Sequence, residues 1–94
     1  MEARFHIDPD TGQPHIYNHG VTESEVLQVL SKPGRVYRGT RNSRMKSGQT
    51  EAGRYLQVIY VPDSAGKGVF VITAYPLTGK ALKAYRRRQR RKQR

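Results

Sequence analysis

Ninety-four residues make one domain, and the absence of cysteine excludes a disulfide framework and a thiolate site. A net charge of +11 excludes an acidic, self-solvating chain and points to a polyanionic partner. The charge is lopsided: residues 1–31 carry one basic side chain, Arg4, against five acidic ones, whereas residues 32–94 carry 17 basic against Glu51 and Asp63. Nucleic acid is the first candidate partner, an acidic protein the second and an anionic membrane surface a distant third. No apolar stretch approaches the ~20 residues of a membrane span, and the N-terminus has no apolar run of signal-peptide length. A soluble, cytoplasmic protein is therefore expected.

Phe5-His6-Ile7 reads as a short first strand. Asp8-Pro9-Asp10-Thr11-Gly12 carries turn chemistry: Pro presets φ, Asp accepts local backbone bonds and Gly tolerates positive φ. Pro14 suits the start of a short helix over His15–His19, with Gly20 at its left-handed end. A second helix follows. Thr22 and Glu25 form a capping box, and Val21 and Val26 stand at hydrophobic-staple spacing. Val26, Leu27, Val29 and Leu30 give its apolar face, and Lys32-Pro33-Gly34 ends it.

Arg35–Arg38 reads as a strand, and Gly39–Gly48 as a loop or frayed strand holding Arg41, Arg44 and Lys46. Tyr55–Val61 and Val69–Tyr75, rich in β-branched and aromatic residues, predict a hairpin across the loop Pro62–Gly68. Setting Val61 opposite Val69 pairs Tyr60 with Phe70, Val58 with Ile72 and Leu56 with Ala74, a wholly apolar core face. The other face ends in Tyr55, Gln57, Thr73 and Tyr75, polar and aromatic. Thr78 caps a last helix with Ala81, Leu82 and Tyr85 on one side. From Arg86 onward seven of nine residues are basic. Like charges on adjacent turns oppose a helix by ~0.2–0.5 kcal/mol per pair, so fraying is expected there. The division is a domain over 1–85 and a basic tail over 86–94, and the order of elements gives an α+β fold.

His19-Gly20-Val21-Thr22 with Glu25 and Leu30-Ser31-Lys32-Pro33 resembles the opening of BrnT-like toxins of the RelE superfamily. Gly48–Val58, with Gly53-Arg54 inside it, is similar to that family's strand entry, and Ile72–Thr78 with Tyr85 to its closing strand and final helix. The resemblance spans roughly residues 15–88. It implies a RelE-like antiparallel sheet of three to four strands, with two N-terminal helices and one C-terminal helix. It also implies a metal-independent endoribonuclease toxin acting on mRNA, in places on the ribosome, held by an acidic antitoxin. The chain departs from the family pattern where Tyr75-Pro76 follows the closing strand in place of a basic residue.

Metal-free RNA cleavage needs deprotonation of the 2′-OH, stabilisation of phosphorane charge and protonation of the leaving 5′-oxygen. Arg54 matches the family's strand-entry arginine and is the expected phosphate clamp, against a plain surface arginine. Tyr75 can stack on a base or assist proton transfer, or simply cover the helix–sheet junction. Lys80 stands near a helix N-terminus, where N–H groups attract phosphate, and Tyr85 matches a family tyrosine or belongs to the core. Arg54, Tyr75, Lys80 and Tyr85 form the candidate catalytic set. Arg41, Arg44, Lys46, Arg86, Arg87, Arg88 and Arg90 form the candidate RNA-binding set. Neutralising about six phosphates on a single strand gives a salt slope of about −4. His15 and His19 stand at zinc spacing, but no third ligand is near, so no metal and no cofactor is expected. Either can act as a general base, or His19 can simply end its helix. A non-catalytic RNA- or ribosome-binding module, or a subunit for an acidic protein, is the alternative.

Overall fold

A computed structural model describes residues 2–63 and 66–92. Residues 64 and 65 of the predicted hairpin loop, and 93 and 94 of the predicted tail, lie outside them. The strands are β1 (Glu2–Phe5), β2 (Val36–Arg38), β3 (Arg44–Gln49), β4 (Tyr55–Pro62) and β5 (Gly68–Pro76). Two α-helices, α1 (Glu23–Ser31) and α2 (Gly79–Lys92), accompany a 3-10 turn over His15–His19. The sheet runs in the order β1-β5-β4-β3-β2, with β1 parallel to β5 and every other pair antiparallel.

This corrects the expected RelE-like architecture of three to four antiparallel strands, two N-terminal helices and one C-terminal helix. The sheet is mixed and five-stranded, and there is one α-helix near each end. The first predicted helix is only a five-residue 3-10 turn closed by Gly20 at φ 70°. The class remains α+β.

Local chemistry explains α1. The Thr22 hydroxyl accepts the Glu25 N–H at 3.2 Å, and the Glu25 carboxylate accepts the Thr22 N–H at 3.0 Å. Val21, Val26, Val29 and Leu30 are buried, at ~1.5–3 kcal/mol per large aliphatic side chain. Leu27, placed on the apolar face by its spacing, is 40% exposed.

Gly39–Gly48, expected as a loop or frayed strand, divides into a turn and most of a strand. Thr40–Ser43 is a tight turn with Arg41 and Asn42 both at positive φ, 55° and 63°, and β3 follows at once. Arg44-Met45-Lys46-Ser47-Gly48-Gln49 has little intrinsic strand preference. It is a strand because β2 and β4 flank it, and because Gly48 lets α1 approach: a Cβ there would stand 2.9 Å from Val29 Cγ1.

The predicted hairpin register is also corrected. Leu56 pairs with Pro76 and Val58 with Ala74, two residues from the expected partners. A bulge then intervenes, since Ile59 pairs with Thr73 but Tyr60 with Val71, leaving Ile72 unpaired. It exchanges the faces of β5. Val71 and Val69 join Leu56, Val58 and Ala74 in the core under α1 and the 3-10 turn, while Phe70 turns to the other side. Finally, α2 runs from Gly79 to Lys92 and takes in the first basic residues after Tyr85.

Candidate nucleic-acid interface

The sheet has two working faces. Leu56, Val58 and Ala74 pack towards α1. The alternate residues Ser47, Gln57 and Tyr75 stand in one row across β3, β4 and β5, each the register partner of the next. Ser47 Oγ donates to Gln57 Oε1 at 3.1 Å, and Gln57 Nε2 donates to the Tyr75 hydroxyl oxygen at 2.9 Å.

On this face α2 lies over β4, β3 and β2 through aromatic rings. Tyr85 meets Tyr55 edge-on at 5.8 Å. Arg86 sits 5.7 Å from the Tyr55 ring centre, and Arg88 lies 5.8 Å from Tyr37 and 5.9 Å from Tyr85. Arg35 covers Tyr37 at 5.3 Å. Each cation–π contact contributes ~0.5–1 kcal/mol at an exposed site and offsets the repulsion along α2. Burial pushes the Tyr85 phenol up; neighbouring Tyr55 adds to this and Arg88 opposes it. Tyr85 thus stays a neutral packing ring.

A cavity of about 250 Å³ opens between α2 and the β2–β3 edge, lined by Arg35, Tyr37, Ser47, Tyr85, Arg88 and Arg91 among others. A second groove on the other side of Tyr85 holds Tyr55, Arg86 and Arg90. Among the described residues, no α2 arginine is ion-paired with a carboxylate. Arginines beside partly exposed aromatic rings suit a single strand, with guanidinium groups on phosphates and rings on bases.

Imidazoles meet this face at the edge of β5, from a 3-10 turn whose Ile16 packs into the core on the α1 side. His19 meets Tyr75 edge-on at 6.1 Å, His15 meets His19 at 5.3 Å, and His6 stands 6.0 Å from His15. Asp8 Oδ2 lies 3.4 Å from His15 Nδ1 and accepts from Asn18 Nδ2 at 2.7 Å. The Asp10 N–H is the largest influence holding the Asp8 carboxyl below its usual range, followed by Asn18. No group of three or more metal-ligating side chains occurs among the described residues.

The candidate catalytic set does not come together. Arg54 lies on the α1 side: its Nη1 is 2.9 Å from both Glu25 carboxylate oxygens and from the Gly20 carbonyl. Burial pushes the Glu25 carboxyl up, but the Thr22 N–H and Arg54 outweigh it and hold it below the ordinary value. Arg54 and Tyr75 thus stand on opposite faces. Lys80 is exposed on the outer side of α2, beside Lys83 and Arg87. Tyr85 packs on Tyr55.

Of the candidate RNA-binding set, Arg86, Arg88 and Arg90 line the grooves, while Arg87 faces outward with Lys80. Arg41 is exposed at its turn, and Arg44 folds back on Asn42 and Ser43. Lys46 is only 7% exposed; its ammonium donates to the carbonyls of Leu30 and Lys32 and so caps the C-terminus of α1. Burial pulls its pKa down. The structure thus places Lys46 at the end of α1, away from the other members of the RNA-binding set.

Arg35, Tyr37, Ser47 and Asp8 were not among the expected site residues, and Gln57 was placed on the polar, aromatic face of the hairpin but given no role. For Gln57 a signal existed, a lone amide in an aromatic-aliphatic strand. For Asp8 the turn reading hid it. Comparison with protein-family models, curated proteins and solved structures gives no match. No helix among the described residues is long and apolar enough to cross a membrane.

Proposed function

We propose that the α2 face binds single-stranded RNA and that the chain is a metal-independent endoribonuclease of the toxin kind, neutralised by an acidic antitoxin in the cytoplasm. One observation carries this reading. Ser47 lines the arginine groove and also begins the hydrogen-bonded row that ends at Tyr75 and the imidazole of His19. Phosphate-binding cations and proton-transfer groups therefore share one open face. The motif order from His19 to Tyr85 supports the toxin assignment, and the unpaired α2 arginines suit an acidic partner competing with RNA.

The test is incubation of purified protein with single-stranded RNA in excess EDTA, with and without translating ribosomes. Cleavage to 2′,3′-cyclic phosphate and 5′-hydroxyl ends is expected. RNA left intact in every case overturns the enzymatic reading.

A second reading, a non-catalytic RNA- or ribosome-binding module, is favoured by the engagement of Arg54 with Glu25, which removes the expected phosphate clamp from the face. It gives salt-dependent RNA binding with no product.

A further inference from the structure

We propose that Tyr75 is the proton donor and His19 the proton acceptor of the cleavage step. Gln57 with Ser47, and His15 with Asp8, are the residues that position them. The inference rests on the ribonuclease reading above and assigns roles within it.

The hydrogen-bonded row supports the first role. Ser47 Oγ donates to Gln57 Oε1, so the Gln57 NH2 is turned to Tyr75 and donates to its oxygen at 2.9 Å. A phenol whose oxygen is already accepting keeps its own proton for another acceptor. Gln57 therefore sets Tyr75 as a donor towards the open face, where Tyr75 is half-buried and reachable.

His19 fills the second role. It is exposed and stands edge-on to Tyr75, and its ring nitrogens make no hydrogen bond among the described residues. His15 is held instead: Asp8 Oδ2 lies 3.4 Å from its Nδ1, and Asn18 Nδ2 and the Asp10 N–H fix that carboxylate. His15 then buttresses His19 at 5.3 Å.

The step balances without a co-reactant. The 2′-oxygen forms a bond to phosphorus and passes its proton to the His19 imidazole. The bond from phosphorus to the 5′-oxygen breaks, and that oxygen keeps the electron pair and takes the Tyr75 proton. The products are a 2′,3′-cyclic phosphate and a 5′-hydroxyl. The proton on His19 then returns to the Tyr75 phenolate, its ring neighbour.

The test uses the full chain and two substrates, an RNA oligonucleotide and the same oligonucleotide with sulfur replacing the bridging 5′-oxygen at the cleaved linkage. A thiolate leaves without protonation. Tyr75→Phe is expected to lose about 10²–10⁴-fold on the oxygen substrate, the range for a general acid, and to stay within a few-fold of wild type on the sulfur substrate. Gln57→Leu should lose about tenfold on oxygen with the same rescue, which a merely structural loss would not give. His19→Ala should lose on both substrates alike. Equal losses by Tyr75→Phe on both substrates, or none on either, overturn the donor assignment while leaving the ribonuclease reading intact. Wild-type protein that cleaves neither substrate overturns the reading and this assignment with it.

Discussion

On the α1 side of the sheet, cations end on the protein itself. Arg54 is engaged by Glu25 and Gly20, Lys46 by the end of α1, and the Lys32 ammonium by the Gln49 carbonyl at 2.8 Å. On the α2 side, Arg35, Arg86 and Arg88 rest on tyrosine rings and have no carboxylate within 4 Å among the described residues. The same residue types thus do two jobs. A guanidinium against a carboxylate and a carbonyl fastens a helix, while a guanidinium on a ring keeps its N–H groups available to an incoming phosphate.

The contrast can be broken most sharply on the α2 side. Replacing Arg86, Arg88, Arg90 and Arg91 by alanine should weaken single-stranded RNA binding by roughly two orders of magnitude near physiological salt. It should also lower the salt slope by about three, on counterion release from four phosphates. Fluorescence anisotropy across a salt series reads both. An unchanged slope would mean that α2 does not meet the backbone.

On the α1 side the expected losses are in stability, with RNA affinity intact. Gly48→Ala should cost about 1–3 kcal/mol, because its methyl meets Val29 and must push α1 off the sheet. Lys46→Met should cost about 1–3 kcal/mol in urea unfolding, since the Leu30 and Lys32 carbonyls lose their donor.

Arg54→Ala should cost about 1–2 kcal/mol, less than a fully buried pair because the Arg54 side chain is 38% exposed. It also sharpens the pH dependence. The Glu25 carboxyl is lowered in the fold, so its stabilisation is complete above the ordinary value of 4.5 and is lost as pH falls below it. That acid-side loss of melting temperature should flatten in Arg54→Ala. If Arg54→Ala instead abolishes RNA binding with the melting temperature unchanged, the division between the faces fails.

The smallest effect belongs to the turn. Arg41 holds φ 55°, a conformation that costs a side-chain-bearing residue ~1–2 kcal/mol. Arg41→Gly should gain about 0.5–1 kcal/mol of stability, glycine's greater loss of freedom on folding offsetting part of that relief. It should also lose about fourfold in RNA affinity, one phosphate contact's worth.

What could be read from the chain was local. Thr22 and Glu25 announce their helix because the capping box lies within four residues, and Gly20 marks its turn for the same reason. The strand through Lys46 was legible only as a loop or frayed strand, since a central strand with a glycine and two cations is stabilised by its neighbours rather than by its own preferences. The bulge at Ile72 was hidden: an alternating apolar run fits either register until β1 and α1 choose one. The roles of Arg54 and Lys46 depended on partners 29 and 16 residues away. Charge alone does not tell a cation that fastens a helix from one that waits for phosphate. The row of His6, His15 and His19 formed only once Ile7 bridged to Pro14 and folded the segment back.

The parallel pairing of β1 with β5 sets a timetable for synthesis. Glu2 has no strand neighbour until Gly68 has been made, and the imidazoles of the first twenty residues have no phenol beside them until Tyr75. A nascent chain stopped before residue 68 holds one half of that constellation and an unsatisfied first strand. Closing so large a loop comes late in folding. The imidazole and the phenol therefore meet only when the two ends of this long loop have come together, so the face is among the last parts of the fold to be assembled.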